Sequence, residues 1–309
     1  MLVDRRDFLK FGVCSAACAA FPYATYATEA KAKEKDPNLA AFVSDFHVNG
    51  ANEGSVFQRE YLGRIVAKIL RLKILPARVV CFGDVAAMWG MPEDYAKVRE
   101  LLQPLVEVGI NVTLGMGNHD LRDNFLAEWP EYAGASQVGG RMVSVVPFPS
   151  CDLLLLDSAN SRPIAKGGGE YPGELGKEQV DWLVETLRRS TKPVLVGAHH
   201  KPGELEIVKR LIDAPACAGF IHGHYHRWLS DYWQDGWANP RVLPSAGLPS
   251  TGHWGDIGFA LFHADAKGAT LTCVMEDFFF PRPTSANPRP PLWEAMRRDK
   301  NGQRITFPF

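Results

Sequence analysis

Cysteine is scarce and scattered in this 309-residue chain. Of six cysteines, Cys14 and Cys18 fall near the amino terminus, while Cys81, Cys151, Cys217 and Cys273 sit singly in or beside apolar runs. Zinc ribbons and small disulfide frameworks need close spacing, so both are excluded, and the last four cysteines are expected as buried free thiols. An excess of one charge is also missing: 34 Lys and Arg balance 35 Asp and Glu, for a net charge of −1. No basic run is interleaved with aromatics, which argues against tight nucleic-acid binding and against a nuclease. The apolar stretch Phe11 to Pro22 is too short for a permanent bilayer span. A phosphate loop is absent too. Gly167-Gly168-Gly169 lacks the preceding strand and the following Lys-Ser or Lys-Thr, and reads as a flexible turn. No internal repeat is present.

What is there divides into three parts. Arg5-Arg6-Asp7-Phe8-Leu9-Lys10, the apolar stretch after it and the small residues around Ala27 and Ala30 form a twin-arginine signal with a cleavage region, spanning 1–30. Neither Cys14 nor Cys18 follows a Leu-led lipobox, so no lipid anchor and no stable membrane anchor is expected. The expected partner of this segment is the twin-arginine export machinery, and the expected location is the periplasm or the medium. Residues 31–280 supply enough chain for one domain with a substantial core. Residues 281–309 are a Pro-rich tail, with Pro281, Pro283, Pro288, Pro290 and Pro291, expected to lie extended against the domain. Its Phe278-Phe279-Phe280 approach reads as packing.

Within the domain, five apolar runs each stop at polar residues with metal-ligating side chains. Ala41-Phe42-Val43 leads to Asp45-Phe46-His47, Val79-Val80-Cys81-Phe82 to Gly83-Asp84, and Val112-Thr113-Leu114 to Gly117-Asn118-His119-Asp120. Val194-Leu195-Val196 leads to His199-His200, and Phe220-Ile221 to Gly223-His224-Tyr225-His226. Short apolar runs read as buried strands, and sites in open α/β sheets gather beyond the carboxyl ends of strands. One site is therefore expected to collect all five clusters. Apolar residues at helical spacing over Val56 to Leu72, Asp94 to Val108 and Val180 to Leu187 place helices between strands, while Trp228 to Met275 reads as shorter strands broken by Gly and Pro.

The order D-x-H, G-D, G-N-H-D, H, G-H-x-H resembles that of the calcineurin-like metallophosphoesterase family, over roughly Leu39 to Phe262. The resemblance implies an α/β fold, a four-layer α/β/β/α sandwich. It also implies that Asp45, His47 and His226 hold one metal, that Asn118, His199 and His224 hold another, that Asp84 bridges them, and that His119 is catalytic. The donor chemistry agrees with two divalent or mixed-valence transition metal ions (Fe, Mn or Zn): imidazole suits Zn, Fe and Ni, a carboxylate can span two cations, and an amide oxygen limits negative charge where phosphate must arrive. The implied function is an exported phosphoesterase dependent on two metals, hydrolysing small phosphate mono- or diesters by attack of a metal-activated hydroxide. Members of the fold that act only as interaction platforms lose ligands or the catalytic histidine, and here all eight positions are filled.

Two departures narrow the family. Three residues after Asp84, where purple acid phosphatases carry tyrosine and many phosphodiesterases an acidic residue, stands Ala87. Substrate contacts are expected from loops at the strand ends: Asn118, Asp120, Arg122, His200 and His253, together with the Met88-Trp89 and Gly252-His253-Trp254 segments. Arg122 leads for its guanidinium fork. Asp120 is expected either to hydrogen-bond the His119 ring or to cap a helix before Leu121. His200 stays open as an alternative ligand to His199. His222 and His263 read as structural.

Overall fold

The computed structural model describes residues 21–51, 56–160, 172–234, 241–252, 255–276 and 299–309. Two six-stranded mixed sheets pack face to face. The first joins β1 (Lys35–Val43), β2 (Leu75–Cys81) and β3 (Asn111–Leu114), all parallel, to the antiparallel β10 (Gly258–Asp265), β11 (Gly268–Met275) and β12 (Arg304–Pro308), in the order β12-β11-β10-β1-β2-β3. The second contains β4 (Ser144–Pro147), β5 (Asp152–Leu155), β6 (Val194–Ala198), β7 (Cys217–His222), β8 (Leu229–Gln234) and β9 (Val242–Gly247), in the order β4-β5-β6-β7-β9-β8. Helices α1 (Phe21–Ala30), α2 (Val56–Leu70), α3 (Pro92–Glu107) and α4 (Arg122–Glu128) precede β4, and α5 (Lys177–Arg189) and α6 (Val208–Ile212) follow β5.

The two-residue period of the strands builds the layers. On β1, Ala40 and Phe42 enter the core between the sheets while Ala41 and Val43 face the helices. Val80 and Phe82 alternate with Val79 and Cys81 in the same way, as Leu195 does with Val194 and Val196. Phe42 stacks on Phe262 at 4.7 Å between ring centres and meets Phe82 at 5.2 Å, tying the central core together. Being buried on both faces, these strands read as continuous apolar runs. The result is the four-layer α/β/β/α sandwich.

Helix α3 begins with Pro92 in its first turn, where the missing amide costs nothing, and Asp94 accepts from the Met91 and Gly50 amides at 3.2 and 2.7 Å. Its buried Tyr95, Val98, Leu102 and Leu105 make one apolar face against the first sheet. All four cysteines of the domain are buried and free. Burial pushes the Cys217 thiol up to about 12.

Two segments outside residues 31–280 take regular structure. Phe21–Ala30, expected within the leader, is a helix whose Ala27 and Ala30 are buried in the outer core beside α2. The end of the tail is a strand of the first sheet, with Ile305 and Phe307 sealed between the sheets. The prolines from Pro281 to Pro291, Phe278-Phe279-Phe280, the glycines Gly167-Gly168-Gly169, His253 and Trp254, and the paired arginines Arg5 and Arg6 lie outside the described residues. Among the described residues no helix is long and apolar enough to cross a membrane.

Candidate metal centre

Strands β1, β2, β3, β6 and β7 end side by side, and their polar continuations converge. Among the described residues six non-glycines have positive φ: Asp45, His47, Asp84, His224, His226 and Glu206. Five are expected ligands. The left-handed region is uncommon for any side-chain-bearing residue and costs on the order of 1 kcal/mol each, so it persists only where neighbours enforce it. The enforcement is visible in the backbone. The Asp45 amide donates to Gly83 O at 3.0 Å and the His47 amide to Asp84 O at 3.0 Å, while Asp45 O accepts from Ser250 Oγ at 3.0 Å and the Gly252 amide at 3.2 Å. His226 O accepts from the Asp256 amide at 2.8 Å. Each turn redirects a side chain that an extended strand would send elsewhere.

The glycines before the ligands have a steric reason. A Cβ on Gly117 would meet Asp84 Oδ1 at 2.2 Å, and one on Gly223 would meet Ser44 Oγ at 2.0 Å and Asp45 Oδ2 at 2.8 Å. The G-N-H-D and G-H-x-H spellings thus leave room for the buried carboxylates, while a Cβ on Gly83 of the G-D pair would meet the Gly117 amide nitrogen at 2.7 Å.

The donor atoms form two groups with Asp84 between them. In one, His226 Nε2 lies 3.1 Å from both Asp45 Oδ1 and His47 Nε2. In the other, His199 Nε2 lies 3.0 Å from Asn118 Oδ1 and 3.2 Å from His224 Nδ1. Asp84 Oδ2 is 3.5 Å from His47 Nε2 and 3.1 Å from His199 Nε2. Around an ion with ligands at about 2.0–2.2 Å, neighbouring donors stand about 3.0–3.4 Å apart, so these spacings fit one small cation per group. His199 Nδ1 must donate to Phe82 O, 3.0 Å away, which leaves Nε2 with a lone pair when the ring is neutral.

Electrostatics make the same demand. Burial pushes the Asp84 carboxyl up, yet the charges of His199, His119 and His47 together pull it below its ordinary range. Burial likewise raises Asp45, and His226, His47 and His199 outweigh it downward. Burial depresses His199, but Asp84 and Asp45 raise it to about 9. Two sealed carboxylates thus stay ionised and require positive charge beside them, a demand metal cations meet while displacing the imidazole proton.

The remaining expected residues separate. His119 is at the centre: Nε2 is 3.9 Å from Asp84 Oδ2, its amide donates to Asp84 Oδ1 at 2.9 Å, and its side chain is 27% exposed. His200 is buried with its ring 4.7 Å from that of His224 and Nδ1 2.8 Å from Ser158 Oγ. His199 Nε2 meets Asp84 and Asn118, while His200 shares a cluster of donors with His199 and His224 that could also hold an ion. His222 is buried, donates through Nδ1 to Gly223 O at 2.9 Å, and is depressed by burial to about 4, while His263 is exposed on β10.

Two residues expected at the substrate are engaged by protein groups. Asp120 is buried, and its carboxylate accepts from the amides of Gly117, Val85 and Ala86 at 2.9, 3.2 and 3.0 Å and from Tyr95 Oη at 3.3 Å. It ties the Asp84 loop to the Asn118 loop, does not reach the His119 ring, and leaves the start of α4 without a side-chain cap. Burial and the Asp84 charge push it up to about 6. Arg122 turns its fork on buried Asp157, with Nε and Nη2 at 2.7 and 2.8 Å from the carboxylate oxygens and Nη2 also donating to Ala159 O at 2.7 Å. Carboxylate and phosphate match the same planar fork, which is why the residue type alone misleads. Asp157 and Ser158 went unread, although Leu153 to Leu156 stop at Asp157 as the other apolar runs stop at ligands. Breaking a buried pair strands a charge, so Arg122→Ala should cost about 3 kcal/mol of stability in urea unfolding and leave KM for esters unchanged. A raised KM with unchanged stability would return Arg122 to the substrate.

Comparison with known proteins bears on the same residues. Over 204 residues the chain is 26% identical to a Psychrobacter arcticus protein described as "Probable cyclic nucleotide phosphodiesterase", covering 64% of this chain and 65% of that one. This chain therefore spans somewhat less than two thirds of that relative's length. Among solved structures, a dimetal phosphatase from Danio rerio superposes with a TM-score of 0.56 at 15% identity, over 77% of this chain and 96% of that one. PhoD does so with a TM-score of 0.51 at 11% identity, over 78% of this chain and 66% of that one. Both share the fold. The family model for calcineurin-like phosphoesterases matches residues 40–228, more than half of the chain and every one of the seven candidate ligands, and the chain belongs to that family.

Proposed function

We propose that this chain is an exported phosphoesterase that uses two transition-metal ions, Fe, Mn or Zn, to hydrolyse small phosphate mono- or diesters. The observation that carries the reading is the coincidence of left-handed backbone with convergent donors at Asp45, His47, Asp84, His224 and His226. Asp45, His47 and His226 would hold one ion, Asn118, His199 and His224 the other, and Asp84 would serve both. When bound, such a pair supplies Lewis acidity at phosphorus and an activated water.

The chain's own residues do the rest. His119, beside Asp84 and partly exposed, gives a proton to the departing oxygen. Asp84 accepts from the His119 backbone amide and would also ligate the metals, so one carboxylate would set both the ions and the acid in register. The Asp120 carboxylate fixes the two loops from behind. Family membership supports ester hydrolysis, and the similarity to a protein described as a cyclic nucleotide phosphodiesterase supports including diesters. Assay of the metal-loaded protein on a panel of mono- and diesters tests this, and absence of turnover on the whole panel would overturn it.

Export rests on Arg5-Arg6 and the apolar stretch behind them. Fractionation with activity assays should find wild-type enzyme outside the cytoplasm, and the Arg5→Lys, Arg6→Lys double variant as active precursor within it. Unchanged export of the double variant would remove the twin-arginine reading.

A further inference from the structure

Arg122 is paired with Asp157, but a second cationic side chain stands beside the ligand loops. Lys201 follows His200 and is half-buried, with Nζ 3.9 Å from the centre of the Tyr225 ring. Tyr225 stands between the ligands His224 and His226 in the chain, and its ring centre is 5.3 Å from that of His224. Glu204 secures this platform by accepting from Tyr225 Oη and, at 3.3 Å, from the Lys201 amide. Among the described residues Lys201 makes no ion pair with a carboxylate. A π face attracts an ammonium without cancelling its charge, as a carboxylate would. The outcome is an ammonium held over the ring beside His224, itself partly exposed, while the Glu204 carboxylate is engaged by Tyr225 Oη and the Lys201 amide.

We propose that Lys201 is a specificity residue that favours doubly charged phosphate groups, such as those of monoesters, over singly charged diesters. The proposal rests on the phosphoesterase reading above. Its quantitative content comes from Coulomb's law: at fixed distance a dianion gains twice the interaction energy of a monoanion. The fold-loss on removing the charge should therefore be squared for the dianion. A screened charge near the surface is worth about threefold for the monoanion, hence about tenfold for the dianion.

The test uses metal-loaded protein, mildly alkaline buffer and calorimetric binding of two probes, inorganic phosphate and dimethyl phosphate. Lys201→Gln should weaken phosphate about tenfold and dimethyl phosphate about threefold, with metal content unchanged. Lys201→Arg should fall close to wild type, and Lys177→Gln, which removes an exposed lysine on α5, should shift neither probe. In turnover, Lys201→Gln should raise KM for monoesters more than for diesters. Equal loss for the two probes, no loss, or no phosphate binding by the wild type would overturn the proposal. A wild type that binds phosphate but hydrolyses no ester would instead remove the phosphoesterase reading, and the two binding constants would still decide Lys201.

Discussion

Asp84→Ala is expected to leave the purified protein with less than one equivalent of metal, where His226→Ala keeps about one. The difference follows from position. Asp84 Oδ2 stands 3.5 Å from His47 and 3.1 Å from His199, one residue from each donor group, whereas His226 belongs to a single group. Removing Asp84 also releases the His119 amide and takes away the carboxylate that faces His199, His119 and His47. Affinity and order should therefore fall together, and turnover with them. Elemental analysis of the two variants decides the matter, and two equivalents retained in Asp84→Ala would remove the bridging role.

The second large effect is expected at His119. It lies next to Asn118 in the chain and 3.9 Å from Asp84, in a cluster with His47 and Asp84 whose donor atoms stand within 4.8 Å of one another, and the role proposed for it is proton transfer rather than coordination. Imidazole can donate a proton near neutral pH, and a positioned general acid contributes about 10² to 10⁴-fold. An alkoxide needs that proton to leave and a phenolate does not. His119→Ala should keep both metals, lose about 10² to 10⁴-fold on alkyl esters, and lose far less on aryl esters. Equal loss on both would make His119 a stabiliser of phosphate charge. A parallel fall in metal content would make it a ligand.

The sequence makes the strand ends and the donors legible, because an apolar run that stops at Asp, His or Asn carries both the strand and its functional end. The left-handed turns that aim those donors are not legible. Nothing in the spelling of Asp45 or His47 distinguishes a strained backbone from an extended one, and the hydrogen bonds that enforce it come from Ser250, Gly252 and Gly83, far along the chain. The protein partners of Asp120 and Arg122 are hidden for the same reason. Each sits beside the ligands in sequence, but its partners, the Val85 and Ala86 amides for one and Asp157 for the other, are fixed only by the packing of loops. Strand β12 hides behind composition: the prolines before it draw attention from the alternation of Ile305 and Phe307 with Arg304 and Thr306.

The most direct test of a two-ion phosphoesterase is a metal titration of chelator-stripped protein, with ester hydrolysis followed at each addition. Hydrolysis should be absent in the stripped protein and should rise to a plateau at two equivalents. Full hydrolysis by the stripped protein, or a plateau at one equivalent, would contradict it.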